Sequence, residues 1–186
     1  MRSALVFVAG LLFAPGLAAQ TVIRPEPPLD SARASLRSAL LVLRDSLNTI
    51  DGAAARLQRD YRQASAASLL SRARVMQTAC AGSVRTVGPT KQAVREIKLS
   101  ERQRVKRRAQ LLGAMDELGG VLTRCETEFA SMSRPGGAET VRGYGNDRAV
   151  RVQAAIRKYE QAMTEFLGVM RIRMTPLGAN PHELAG

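Results

Sequence analysis

Two cysteines, one histidine and a dense run of basic residues are the side chains through which this chain could do chemistry. Cys80 and Cys125 form an even pair, as expected for one disulfide in an oxidising compartment. The basic run extends from Lys91 to Arg108, and its guanidinium and ammonium groups attract anionic oxygens. These residue types therefore indicate crosslinking and anion binding rather than catalysis.

The basic run has only two carboxylates within it, those of Glu96 and Glu101. We call its eight cationic residues the cationic cluster: Lys91, Arg95, Lys98, Arg102, Arg104, Lys106, Arg107 and Arg108. Such a concentration of charge suits contact with anionic envelope polymers, lipid head groups or acidic proteins. Nucleic acid is disfavoured because no aromatic residues are interleaved with the cations. The alternative interpretation is a solvated helix end without a partner.

Patterns typical of catalysis or metal binding are missing from the sequence. His182 falls in a predicted tail, so no histidine acid–base pair is expected in the folded domain. Asp116 and Glu117 are adjacent and point to different sides of a helix, and neither a CxxCH nor an ExxH motif is present. Met170 and Met174 share a helix face, where methionine more often fills a core than binds a metal. We predict a protein that is not an enzyme and has no metal and no cofactor.

The N-terminal segment has the three parts of a secretory signal. Arg2 supplies a positive start, Ala4–Phe13 is apolar, and residues 14–19 provide the helix break and small residues that a signal peptidase requires. The apolar run is about half the ~20 residues needed to span a bilayer. The sequence predicts that residues 1–19 are cleaved and that the mature protein is periplasmic or secreted, with no membrane span.

The composition indicates an all-α protein. The chain has three Tyr, four Phe and no Trp, and Ala, Leu, Arg and Gln dominate it. These small or straight-chain residues lose little rotamer freedom in a helix, whereas a β-sandwich would require alternating β-branched and aromatic residues. The formal net charge is +12, and the loss of Arg2 with the signal would leave +11.

Apolar residues recur over 36–64 at alternating spacings of four and three, which is typical of a long amphipathic or coiled-coil-like helix. Beyond residue 64 this spacing shifts by one position, and Ser65 or Ser68 is a candidate N-cap for a second helix. We therefore place the first turn at 64–66. A turn at Asp51-Gly52 is the alternative.

Two further apolar seams follow. Their members are Val105, Leu112, Met115, Leu118, Leu122, Cys125, Phe129 and Met132 in the third helix, and Val152, Ile156, Tyr159, Met163, Phe166 and Met170 in the last. Residues 133–145 contain four glycines and a proline, which predicts a loop. Asn146 or Asp147 is the expected N-cap of the last helix.

The ends of the domain are predicted from proline and capping signals. Three prolines within 20–29 predict an extended lead-in, and Asp30 is the candidate N-cap of the first helix. Residues 175–186 are predicted to be a flexible tail. A single helical-bundle domain is therefore expected over 30–174.

The two cysteines predict the register of the central hairpin. The Cα atoms of two bridged cysteines lie within about 7 Å of each other, so Cys80 and Cys125 must face each other. In an antiparallel pair of helices the residue numbers of facing positions add up to a constant, which for these two cysteines is 205. The turn must then lie near residues 100–104, with Gly88-Pro89 as a kink inside the second helix. The expected helices are 30–63, 66–99, 102–132 and 146–173, an antiparallel up-down four-helix bundle. A hairpin turn at Gly88-Pro89, with free buried thiols or a bond between chains, is the alternative.

The predicted function follows from export, helical architecture and charge. We expect a non-catalytic protein of the cell envelope with a structural or interaction role, which binds an anionic partner through the cationic cluster. The sequence is also compatible with a homo-oligomer. One alternative is a periplasmic chaperone-like binder of unfolded proteins, a class with similar composition, although the chain has no LTxxQ repeat. A second is a carrier of a small ligand or cofactor in the bundle interior.

Overall fold

The protein is a bundle of four long helices. The structure, a computed structural model, describes residues 29–59 and 61–172. Its elements are α1 (Leu29–Gln58), α2 (Ala66–Glu96), α3 (Arg102–Met132), a single turn α4 (Ala138–Thr140), a π-helical turn (Val141–Gly145) and α5 (Asn146–Met170). Consecutive long helices pack against each other, and α1 also contacts α5. The predicted all-α up-down bundle is confirmed, whereas the signal, the lead-in before residue 29 and the tail lie outside the described residues.

The predicted seams form one core. Leu40, Leu43 and Leu47 of α1 are fully buried, as are Met115 and Phe129 of α3. Burying one such side chain contributes about 1.5–3 kcal/mol, so most of the stability of each helix comes from its apolar face. Among the described residues, no helix is both long and apolar enough to cross a membrane.

Val105 is the exception among the predicted core residues, because it is 39% exposed. The buried residues of α3 begin only at Leu111, so the first turns of this helix project beyond the core. The prediction that Val105 belongs to the seam was therefore wrong. Its spacing matched the pattern, although it lies six residues before the first buried residue of α3.

The first helix differs from the prediction at both ends. It begins at Leu29, which places Asp30 inside its first turn rather than at the N-cap, and it ends at Gln58 rather than at residue 63. Tyr61 and Ala64 continue the apolar pattern and pack against the core although the chain has left the helix. Asp51-Gly52 lies within the helix, so the alternative turn there is excluded.

The second helix continues through Pro89, which excludes a hairpin turn at that point. Pro89 faces solvent, where water can satisfy the carbonyl that its missing N–H leaves unpaired. The adjacent Thr90 is buried, and its hydroxyl donates to the Thr86 carbonyl at 2.8 Å. Ser65, one of the two predicted caps, is the N-cap of this helix. Its hydroxyl oxygen accepts a hydrogen bond from the Ser68 N–H at 3.2 Å.

The disulfide between Cys80 and Cys125 joins α2 to α3 with a Cα–Cα distance of 6.1 Å. Both cysteines are buried in the core. The chain reverses between Ile97 and Glu101, a few residues before the predicted 100–104, because α2 ends at Glu96 rather than at residue 99. The bond and the reversal therefore define one register for the central hairpin.

The predicted loop at 133–145 is mostly helical. Only residues 133–137 depart from helical structure, and α4 and the π-helical turn lead directly into α5. Asn146 and Asp147 consequently do not cap a helix start, contrary to the prediction. Gly136 supplies the reversal with φ of +85°, a conformation that glycine adopts without strain. Gly143 and Gly145 lie in the π-helical turn, and a Cβ at Gly145 would lie 3.1 Å from the Val141 side chain and 3.6 Å from that of Leu57.

Removing the disulfide should destabilise the protein. The bond closes a loop between residues 45 apart in sequence, so replacing both cysteines (C80A/C125A) should lower the free energy of unfolding by about 2–4 kcal/mol. Urea denaturation followed by circular dichroism measures this loss, and wild-type protein in reductant should match the variant. Alkylation of both sulfurs in unfolded, unreduced monomer would contradict the pairing.

Replacement of glycine by alanine should have opposite effects on stability in the 133–137 reversal and within α3. A Cβ at Gly137 would lie 2.2 Å from the Met132 carbonyl oxygen, so Gly137→Ala should destabilise the fold by about 1–3 kcal/mol. Gly120 is exposed within α3 and has open space around it, so Gly120→Ala should stabilise by about 0.5–1 kcal/mol. The same denaturation experiment compares them. Equal stability of the two variants would mean that the 133–137 reversal is wrong.

Candidate anion-binding site

The turn between α2 and α3 is anchored to the core. Ile97 is buried and Leu99 is partly buried against the core, whereas Lys98 and Ser100 are exposed. This alternation follows from the extended backbone, in which successive side chains point to opposite sides. The turn therefore holds Lys98 outward from a fixed base.

Four members of the cationic cluster are partly buried against the fold. Lys91 pairs with Asp116, and Arg107 pairs with Glu165. Arg104 lies 3.2 Å from the Glu101 carboxylate. In addition, Arg108 donates to the Ile97 carbonyl at 2.6 Å, which satisfies a carbonyl at the end of α2. These interactions tie the turn to α3 and α5.

The other four members of the cluster are exposed at the bundle end. We call them the exposed quartet: Arg95, Lys98, Arg102 and Lys106. Arg95, Arg102 and Lys106 have no carboxylate partner among the described residues. The structure thus divides the predicted cluster into an internal half and a solvent-facing half.

The quartet lies between two helix ends of opposite polarity. Arg95 occupies the last turn of α2, where the helix dipole favours a cation. Arg102 occupies the first turn of α3, which contains no acidic residue although the dipole favours one there. Helix stability therefore accounts for Arg95 but not for Arg102.

The fold adds two cations that the sequence reasoning missed. α1 begins at this end of the bundle and α5 finishes at it, which brings exposed Arg37 and Arg171 to the end that carries the quartet. The 3.2 Å contact between the Thr90 hydroxyl and the Ala39 carbonyl places the start of α1 beside the end of α2. The predicted up-down topology implied that these segments meet at this end, but the sequence reasoning considered only cations that are neighbours along the chain.

The described residues show no grouping of three or more His, Cys, Asp or Glu suited to a metal ion. His182 and Met174 lie outside the described part of the chain. Tyr159 is fully buried, and its hydroxyl donates to the Met163 sulfur at 3.4 Å. Burial and the nearby Glu160 carboxylate raise the pKa of Tyr159 well above its usual value, so the hydroxyl stays protonated.

Comparison with known proteins adds no family to this description. No protein-family model, curated protein or solved structure gave a match to the chain.

Substitution within the cluster should separate its internal from its exposed members. Arg108→Gln leaves the Ile97 carbonyl without its charged donor and should lower the free energy of unfolding by about 1–2 kcal/mol. Lys106 is exposed and lies two residues before Arg108. Lys106→Gln removes one positive charge there and should change the free energy of unfolding by less than about 0.5 kcal/mol. Chemical denaturation of both variants makes the comparison, and equal losses would refute the division of the cluster.

Proposed function

We propose that this protein is an exported, non-catalytic helical-bundle protein of the cell envelope that binds an anionic partner at the end of the bundle carrying the α2–α3 turn. The exposed quartet is the observation that carries the proposal. Lys98 projects from a turn that Ile97 and Leu99 anchor to the core and that Arg108 ties to α3, and the other three members flank this turn on α2 and α3. A rigid base of this kind lowers the ordering entropy that binding would otherwise require.

The electrostatics of α3 support a ligand at this end. Arg102 adds positive charge to a helix N-terminus whose N–H groups already carry partial positive charge. Glu101 pairs with Arg104 rather than capping the helix with its side chain. An anion placed beside Arg102 would relieve this repulsion, with a gain that decreases as salt rises.

Export is proposed from the N-terminal segment and supported by the disulfide. A buried bond that sets the register of the central hairpin requires an oxidising compartment in which to form and persist. The cell envelope also supplies surfaces rich in carboxylate and phosphate groups. Anionic envelope polymers, lipid head groups and acidic proteins share that chemistry, which guanidinium groups recognise with paired hydrogen bonds.

Neither alternative function has a specific observation in its favour. A chaperone-like binder needs a contiguous apolar surface for its clients. The exposed large apolar side chains are instead distributed singly over several elements: Val42, Val75, Val105, Tyr144 and Val150. An interior carrier needs a cavity in the bundle, but the core around Cys80 and Cys125 is filled by fully buried side chains such as Leu118 and Leu122.

Neutralising the quartet should abolish binding to anionic surfaces. The variant R95Q/K98Q/R102Q/K106Q should bind isolated envelope fractions and anionic lipid vesicles at least tenfold more weakly than wild type. Wild type should sediment with them at low salt and be released at high salt, since the attraction between exposed charges is screened. Co-sedimentation over a salt series measures both effects.

A matched variant controls for overall charge. R124Q/R134Q/R151Q/R157Q removes the same four charges from other exposed positions and should retain binding. Equal weakening of the two variants would show that net charge, rather than the bundle end, drives adsorption. Wild-type protein that does not sediment with any anionic surface at low salt would refute the proposed function.

A further inference from the structure

A second cationic surface lies between α1 and α2, near the end of the bundle opposite the exposed quartet. Two cavities of about 370 and 450 Å³ adjoin there, and both are lined by Ser71 and Val75. They form one continuous depression, which we call the α1–α2 groove. Its volume is in the range of ligand-binding pockets, about 300–1,000 Å³.

The groove exists because small residues line it on both helices. Ser46, Thr49 and Ala53 recur at helical spacing on α1, and Ser71 and Gly82 lie on the facing side of α2. Small side chains leave space between the helix surfaces. The Ser46 and Thr49 hydroxyls donate to carbonyls of α1, and the Ser68 and Ser71 hydroxyls can donate to a ligand. The floor of the groove is thus suited to a polar ligand.

Three arginines line the half of the groove closest to the α1–α2 turn: Arg56, Arg59 and Arg72. Ser68 and Ser71 lie beside them, and no described residue lining either cavity carries a carboxylate. Arg72 donates to the Arg59 carbonyl, which holds its guanidinium at the rim. The side chains of Arg56 and Arg59 have no carboxylate partner among the described residues.

A comparable groove between α3 and α5 shows the contrast. It is smaller, about 230 Å³, and is also lined by three arginines, Arg124, Arg148 and Arg151. There, however, Glu128 is part of the lining, and its carboxylate lies 3.3 Å from the Arg148 guanidinium. The α3–α5 groove therefore contains its own anion, whereas the described residues that line the α1–α2 groove include cations and hydroxyls but no carboxylate.

The start of α2 adds to the positive potential of the α1–α2 groove. Ser68 and Ser71 lie in the first two turns of the helix, near its unpaired N–H groups, and the first turn contains no acidic residue. Ser65 satisfies one of these N–H groups by capping. The dipole of α2 thus favours negative charge where the three arginines meet the hydroxyls.

We propose that the arginine-lined half of the α1–α2 groove binds a phosphate group, either free or as the ester of a small molecule. Three guanidinium groups and two hydroxyls offer more donors than one carboxylate can accept, and they match the oxygens of a phosphate dianion. The remainder of an ester would extend past Val75 toward Thr78 and Gly82, in the half of the groove that Arg74 also lines. This site is about 35 Å from Arg95 along α2, at 1.5 Å per residue, and is independent of the quartet.

Titration of full-length mature protein with inorganic phosphate and with glycerol 3-phosphate tests the proposal. Calorimetry at constant ionic strength should show saturable binding of at least one of them by wild type. Arg56→Gln with Arg59→Gln should weaken it at least tenfold, and this pair spares Arg72, whose bond to the Arg59 carbonyl also holds the end of α1. Preference for the ester would indicate a phosphorylated metabolite, and preference for inorganic phosphate would indicate a free anion; either supports the site.

Two controls distinguish the groove from general charge and from the proposed function. Arg124→Gln with Arg151→Gln removes the same charge from the α3–α5 groove and should leave phosphate binding unchanged. The quartet variant should also retain it, even if that variant has lost envelope binding. Absence of saturable binding by wild type, or equal weakening by the two arginine pairs, would overturn the proposal.

Discussion

The antiparallel register between α2 and α3 is the constraint on which the rest of the structure depends. The Cys80–Cys125 bond sets it in the middle of the hairpin, with Cα atoms 6.1 Å apart. The Lys91–Asp116 ion pair and the bond from Arg108 to the Ile97 carbonyl repeat it toward the turn. A covalent link, an ion pair and a capping bond thus agree on one alignment, so a slip of either helix would break all three together.

This register also determines which charges are available to a partner. Ion pairs across the α3–α5 interface, such as Arg107 with Glu165 and Lys158 with Glu117, use part of the positive charge within the fold. Other arginines remain exposed along the helices, such as Arg124 and Arg157, while two groups of cations lie toward the ends of the bundle. At one end they lie on and beside an anchored turn, and at the other they line a groove between α1 and α2. Both proposals concern these two groups.

The errors of the sequence reasoning have a common physical origin. Apolar spacing reports which residues are buried, and burial does not require a helix. Tyr61 and Ala64 follow the seam of α1 but pack against the core from a turn, whereas Val105 keeps the helical spacing beyond the end of the core. The glycine-rich segment 133–145 was interpreted as a loop, yet α4 and the π-helical turn occupy residues 138–145, where Val141 and Gly145 are buried.

The sequence alone predicted the helical class and the register of the central hairpin and narrowed the cap of α2 to Ser65 or Ser68, because these depend on local periodicity, on capping residues and on the geometric reach of one disulfide. It also identified the cationic cluster, since its members are neighbours along the chain. Only the tertiary structure decided which cluster members remain exposed, because their partners Asp116 and Glu165 come from distant segments. The same holds for the grouping of Arg56 and Arg72 beside one groove, which exists only once two helices have packed together.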